Sequence, residues 1–388
     1  MSKSFMEKIR GQSLEEVLYQ CRETYEDIHF PTVKEWRANG GKVLGHFQVF
    51  FPAEIAHAAG MLPLNLHGAN VQPDQADSRF GSYLCSTIKT TLEIALSKQV
   101  VLDVFITHPI CDAARNLGAI FGRNFDYPCE ILYLPQNPNS ASSIEYLAGE
   151  YDRLKRLVEK VSGKEVTDDA LRHSIGIFNR NRELLRDLYD IKRECPEKIA
   201  AEDAYALMAM AGRMPREDHN EMMEYALPLI RAVDAKREDR IRVVYEGAFC
   251  EQPPFDMVRM LGRSAYVVDD DFLIGLRWIL SDIPQGESPL TAMARAYIED
   301  SSYSPVQHDL RKRKEDMLIA RIRKAGGEAA IVTSAKMCEP GLEEQVAYIH
   351  GLEKANIPFF VSEFEENQTS FSGLELQLET FMENLLFV

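Results

Sequence analysis

The feature that most constrains this chain is a rhythm: short apolar runs alternate with helical patterns, in two separate blocks. In the first block, GKVLGHF (41–47), MLPLNLHG (61–68), VLDVFIT (101–107) and EILYLP (130–135) read as strands. PAEIAHAAG (52–60), with proline at its start and glycine at its end, and SYLCSTIKTTLEIAL (82–96) read as helices between them. Runs this apolar fit strands buried on both faces, and parallel strands need helical crossovers. The rhythm returns with IRVVYEG (241–247), SAYVVDDD (264–271), EAAIVTS (328–334) and IPFFVSE (357–363), closed by a helix with Leu374, Leu378, Phe381 and Leu385 on one side.

The stretch between the blocks is helical. Ser142 and Glu145 have capping-box spacing, and Ile144, Leu147, Tyr151, Leu154 and Val158 follow at helical period until Gly163. Thr167 reads as the N-cap of a second long helix whose buried stripe holds Ile177, Leu184, Leu188 and Ile191. The expected fold class is therefore α/β, with two Rossmann- or flavodoxin-like parallel-sheet lobes at residues 1–140 and 238–388 and a helical segment at 141–237.

Charge narrows the partners. The formal charge is −16, from Asp+Glu 60 against Lys+Arg 44, which argues against nucleic acid, whose binding depends on neutralising phosphates. An anionic cofactor in a local basic pocket stays compatible with it. No apolar run approaches the ~18 residues of a membrane span, and MSKSFMEKIRGQSLEEV has no signal-peptide pattern. The expectation is a cytoplasmic protein.

Seven cysteines, at positions 21, 85, 111, 129, 195, 250 and 338, are odd in number and widely spaced, without a C-x-x-C pair. A disulfide framework and a zinc ribbon both fit poorly. The two blocks share an echo: VFITHPICD (104–112) and AIVTSAKMCE (330–339) each run from an apolar strand through threonine to cysteine and an acid. Both cysteines then lie beyond the carboxyl ends of strands, where open α/β sheets place their sites, and Cys85 falls in the first turn of its helix, where the dipole favours a thiolate. Two readings stay open on spacing alone. Cys85, Cys111 and Cys338 converge as three ligands of an iron–sulfur cluster with one position vacant, or all are buried thiols behaving as small hydrophobes.

The chain resembles the 2-hydroxyacyl-CoA dehydratase and benzoyl-CoA reductase family of iron–sulfur subunits. The resemblance runs through FPAEIAHAAGMLPLNLHG, YLCSTIKTTLEIAL, ICDAARNL and AKMCEPGLEEQVAYIHGLEKANIPFFVSEFEEN. The stretches EVTDDALRHSIGIFNRNRELLRDLY, AFCEQPPF and YVVDDDFLIGLRW look most like the smaller cluster-bearing subunit of the ATP-dependent, class I benzoyl-CoA reductases. The resemblance implies that Cys85, Cys111 and Cys338 hold a 4Fe-4S cluster in the interdomain cleft. It implies ATP-driven one-electron reduction of benzoyl-CoA or a related acyl-CoA to a cyclohexadienecarboxyl-CoA, through a radical anion.

The chain has neither G-x-x-x-x-G-K-S/T nor G-x-G-x-x-G. As in the family, ATP would be used by a separate iron–sulfur ATPase dimer fed by ferredoxin, and a homologous cluster-bearing subunit is a further expected partner. A 2-hydroxyacyl-CoA dehydratase subunit and a non-catalytic electron-relay subunit are the rival readings.

Other residues carry two readings each. Glu54 matches a recurrent acidic position of the family, and His57 is its i+3 neighbour on the same helix face; they either orient or protonate substrate, or form a buried polar pair, with Glu54 also readable as a simple capping acid. His108 either donates to a cluster sulfur or faces water from a loop. Asp269–Asp271 looks like a metal patch but reads better as a solvated turn, and Cys250, which follows a strand, is either an inert buried thiol or a group that supports the cluster ligands.

Overall fold

A computed structural model describes residues 4–47, 50–81, 83–247, 252–272, 280–302, 309–365, 368 and 370–386. Two parallel sheets of four strands each form its frame. The first holds β1 (Lys42–Phe47), β2 (Met61–Asn65), β3 (Val104–Thr107) and β4 (Cys129–Ile131) in the order β2-β1-β3-β4. The second holds β5 (Arg242–Glu246), β6 (Tyr266–Asp269), β7 (Ala329–Ala335) and β8 (Phe359–Phe364) in the order β6-β5-β7-β8. The two orders are the same when counted from the first strand of each lobe. Every neighbouring pair is parallel, as the apolar runs demand: β2, β3 and β7 are buried at every residue.

The expected strand at 101–107 is shorter, and the helix that ends at Gly163 keeps its expected bounds but not its expected cap. The run 101–107 pairs only from Val104, because the Asp103 carboxylate accepts hydrogen bonds from the Val43 N–H at 2.8 Å and the Arg37 guanidinium at 2.6 Å, and Val101 is exposed. The helix Ser143–Ser162 starts after Ser142 and ends at Gly163, which turns left-handed at φ 76°. Its capping box does not form, since the Ser142 side chain meets the Ser140 hydroxyl at 3.0 Å instead. Thr167 does cap the helix Asp168–Glu194, accepting from the Ala170 N–H at 3.2 Å.

That 27-residue helix, roughly 40 Å long, joins the lobes. Leu171, Ile175 and Phe178 near its start pack into the core around the first sheet, and Leu184, Leu188 and Ile191 into the core around the second. Chain order and packing part company elsewhere too. Phe5, Ile9, Val17 and Cys21 belong to the core of the second sheet, whereas Ile283, Met293 and Ile298 belong to that of the first. The lobes are thus laced together by chain crossing in both directions.

Candidate functional site

Three helix N-termini meet at one cleft. Cys85 is the N-cap of Ser86–Leu96, Cys111 of Asp112–Asn124 and Cys338 of Glu339–Lys354, each with an extended backbone. All three cysteines line a single cavity of about 650 Å³, together with Phe47 at the end of β1. The cavity mouth therefore lies beyond the carboxyl ends of β1 and β3, at the switch point of the first sheet, and takes its third sulfur from the second lobe.

An N-cap has backbone N–H groups ahead of it with no carbonyl to meet, and the helix dipole places positive charge there. The Cys111 sulfur uses this, accepting from the Ala114 N–H at 3.4 Å. Burial pushes the Cys111 thiol up most, and the N–H groups of Ala114 and Ala113 pull it back down. Cys338 is 7% exposed, and Gly341 gives its sulfur room: a Cβ there would stand 3.2 Å from Cys338 Sγ.

Among the described residues, no group of three His, Cys, Asp or Glu is gathered for one metal ion. A cubane differs, because each thiolate meets a different iron and the ligand sulfurs stand farther apart than around one ion. Three cysteines on one cavity, each ahead of a positive helix end, are a donor set that fits a cubane with three protein ligands. Cys129 lies on edge strand β4 and Cys21 inside the second core, apart from the cavity. Cys250 is outside the described residues.

Glu54 and His57 sit on the six-residue helix Ala53–Ala58 but face different places. Glu54, 3% exposed, is ion-paired with Arg182 on the long helix, and both line a second cavity with Tyr151 and Tyr297. His57 meets the Ser174 hydroxyl through Nδ1 at 2.9 Å and Glu217 through Nε2 at 3.0 Å, and lines a third cavity with His173 and Met214. Neither residue lines the cysteine cavity.

Two expectations are corrected. His108 does not face water: it is 2% exposed, its Nδ1 is 3.2 Å from the Leu132 carbonyl, and burial lowers its pKa to about 4. Asp269–Asp271 is not a solvated turn either, since all three residues are at most 1% exposed. Asp269 is bound by Arg193 and Arg321, Asp270 by Lys192 and by the Tyr189 hydroxyl at 2.6 Å, and Asp271 accepts from the Gly247 N–H at 3.2 Å. The run anchors the long helix to the second sheet. Sequence reasoning missed much of the cysteine cavity's wall, including Arg79, Asn116, Ile120 and Arg123. The signal was there, because the last three follow one another at helical spacing after Cys111.

The family model for 2-hydroxyglutaryl-CoA dehydratase, D-component, matches residues 48–385. The C subunit of benzoyl-CoA reductase from Thauera aromatica is 30% identical over 381 residues, spanning 96% of this chain and 99% of that one. The beta subunit of lactoyl-CoA dehydratase from Anaerotignum propionicum is 26% identical, across 90% of this chain and 94% of its own length. The beta subunit of (R)-2-hydroxyglutaryl-CoA dehydratase from Acidaminococcus fermentans is 23% identical, with the same two coverages. The chain belongs to the 2-hydroxyglutaryl-CoA dehydratase D-component family.

Proposed function

We propose that this chain is the cluster-bearing subunit of an ATP-dependent acyl-CoA reductase acting on benzoyl-CoA or a closely related aromatic thioester. The observation that carries the reading is the cavity where Cys85, Cys111 and Cys338, from both lobes, cap three helices. The near-full-length similarity to a benzoyl-CoA reductase subunit supplies the substrate class. A 4Fe-4S cluster bound by these cysteines would supply single electrons at low potential beside an iron left open to a substrate oxygen.

The protein's own part is electrostatic and steric. At Cys111 the N–H groups of the helix N-terminus offset part of what burial costs a thiolate. Ile110 and Phe47, both about 95% buried, line the cavity and help keep water from it. Asp112 and Glu339, each directly after a cysteine, bring negative charge to the rim; that charge favours the oxidised state of a bound redox centre and so opposes electron uptake. An external driving force then has to overcome it, which fits an ATPase partner. A homologous second subunit and a ferredoxin-fed iron–sulfur ATPase complete the proposed enzyme.

The dehydratase relatives favour a second reading, in which the same cavity serves a 2-hydroxyacyl-CoA dehydratase. Measuring ATP hydrolysed per product in the anaerobically assembled complex separates them. The reductase requires a fixed amount of ATP in every turnover of benzoyl-CoA. ATP needed only to start turnover, with a 2-hydroxyacyl-CoA as substrate, would replace this reading with the dehydratase.

A further inference from the structure

The cysteine cavity extends along the whole of one helix. Its wall includes Asp112, Asn116, Ile120 and Arg123, spaced by 4, 4 and 3 residues along one face of the helix Asp112–Asn124. From Cys111 at one end of that helix to Arg123 at the other is roughly 18 Å at 1.5 Å per residue. The far end is cationic. Arg79 also lines the groove, and its Nε donates to the Asn124 side chain at 3.0 Å, which places its guanidinium beside the end that carries Arg123.

These two arginines carry local positive charge in a chain of net charge −16. Arg79 donates otherwise to the Gln75 carbonyl at 2.6 Å and the Ser78 hydroxyl at 2.8 Å, all neutral acceptors. Among the described residues neither Arg79 nor Arg123 has a carboxylate partner. By contrast Arg115, one helical face away, pairs with Asp112 at 3.6 Å and does not line the groove. A guanidinium fork without a carboxylate, at the end of a groove, is suited to phosphate oxygens.

The groove's length selects the phosphate. In an acyl-CoA, about 13 bonds separate the thioester sulfur from the first phosphorus, an extended reach of about 15 Å at the spacing of a polypeptide backbone. A thioester at the cysteines then places the diphosphate at the arginines. Ile120 and Asn116, between the two ends, offer an apolar surface and an amide to the pantetheine arm, which itself alternates methylenes and amides. We propose that this groove is the CoA channel, with Arg79 and Arg123 binding the diphosphate. The assignment rests on the acyl-CoA reading above.

The test uses the anaerobically assembled complex and isothermal titration with three probes: CoA, a pantetheine thioester of the same acyl group, and inorganic pyrophosphate. The double variant Arg79→Gln/Arg123→Gln should weaken CoA by roughly 10- to 100-fold, from the loss of two charge-assisted contacts, while affinity for the pantetheine thioester is unchanged. Arg115→Gln, which removes the same charge from the same helix, should leave CoA binding intact. Iron content and circular dichroism report whether the double variant is folded; if it is not, Arg123→Glu alone, at an exposed position, supplies the comparison. CoA affinity unchanged in a folded variant overturns the channel while leaving the proposed function standing. So does pyrophosphate that competes as tightly as CoA. Wild-type complex that binds no CoA removes both.

Discussion

Cys111 and Cys338 hold equivalent places in the two sheets: Cys111 follows β3 and caps the next helix, and Cys338 follows β7 and caps the next helix. Because β3 and β7 occupy the same position in the same strand order, the faint echo between VFITHPICD and AIVTSAKMCE has a structural counterpart. Two lobes facing each other through equivalent strand ends bring the two thiols to one cavity. Cys85 joins them from the helix that precedes β3.

The first prediction follows from that convergence. Replacing Cys85, Cys111 or Cys338 singly by serine should remove most of the iron and the visible cluster absorption from anaerobically purified protein. Cys129→Ser is the control, because burial pushes its thiol up to about 12 and it lies away from the cavity. Iron retained in all three variants would refute the cluster assignment, whatever happened to turnover.

Much of the frame could be read from sequence because a parallel strand buried on both faces is a local signal: a short, mostly apolar run bounded by turns. The cysteine trio was legible only with the family resemblance, since spacing cannot reveal that separate helices point at one place. The acidic run failed for a related reason. Asp269 and Asp270 take their partners from Lys192 and Arg193, some 76 to 78 residues earlier, and from Arg321, 52 residues later. Consecutive acids look solvated until those cations are brought to them.

That buried pairing makes the second prediction. Lys192 and Asp270 are 5% and 0% exposed, so removing one partner strands the other charge in the core. Lys192→Met should lower stability by about 3–5 kcal/mol, and Lys192→Met/Asp270→Leu should recover much of the loss. Urea unfolding of the three proteins checks this. A single variant as stable as the wild type would mean that the pair is far better hydrated than its burial implies.

Histidine burial sets a pH limit. His219 accepts at Nδ1 from the Asn181 amide at 2.7 Å and donates from Nε2 to the Leu207 carbonyl at 2.9 Å, an arrangement that needs the neutral ring. Burial, helped by the charge of Arg216, lowers its pKa to about 3, and burial with the charge of Arg213 does the same to His67. Unfolded histidine titrates near 6.5, so the unfolded chain binds these protons first. Stability is full above pH 6.5 and falls as pH drops from 6.5 towards 3, by up to about 1.4 kcal/mol per pH unit for each ring. The urea midpoint should therefore fall between pH 7.5 and 5, and His219→Gln should flatten the slope. An identical slope in that variant would assign the pH dependence elsewhere.

Gly341 separates the needs of the fold from those of the cavity. It sits in the first turn of Glu339–Lys354 with an ordinary helical backbone, where alanine is normally better than glycine by up to about 1 kcal/mol. The added Cβ of Gly341→Ala would meet Cys338 Sγ at 3.2 Å, closer than comfortable contact. A thiol can move aside by a few tenths of an ångström, but a sulfur bonded to iron is held by its other bonds. The cluster-free variant should therefore unfold at the wild-type midpoint or slightly above it, while the reconstituted variant holds less iron per chain and loses it faster to a chelator. Equal iron retention would show that Cys338 has slack at the cavity, and would weaken the case that its sulfur is fixed there by a bound cluster.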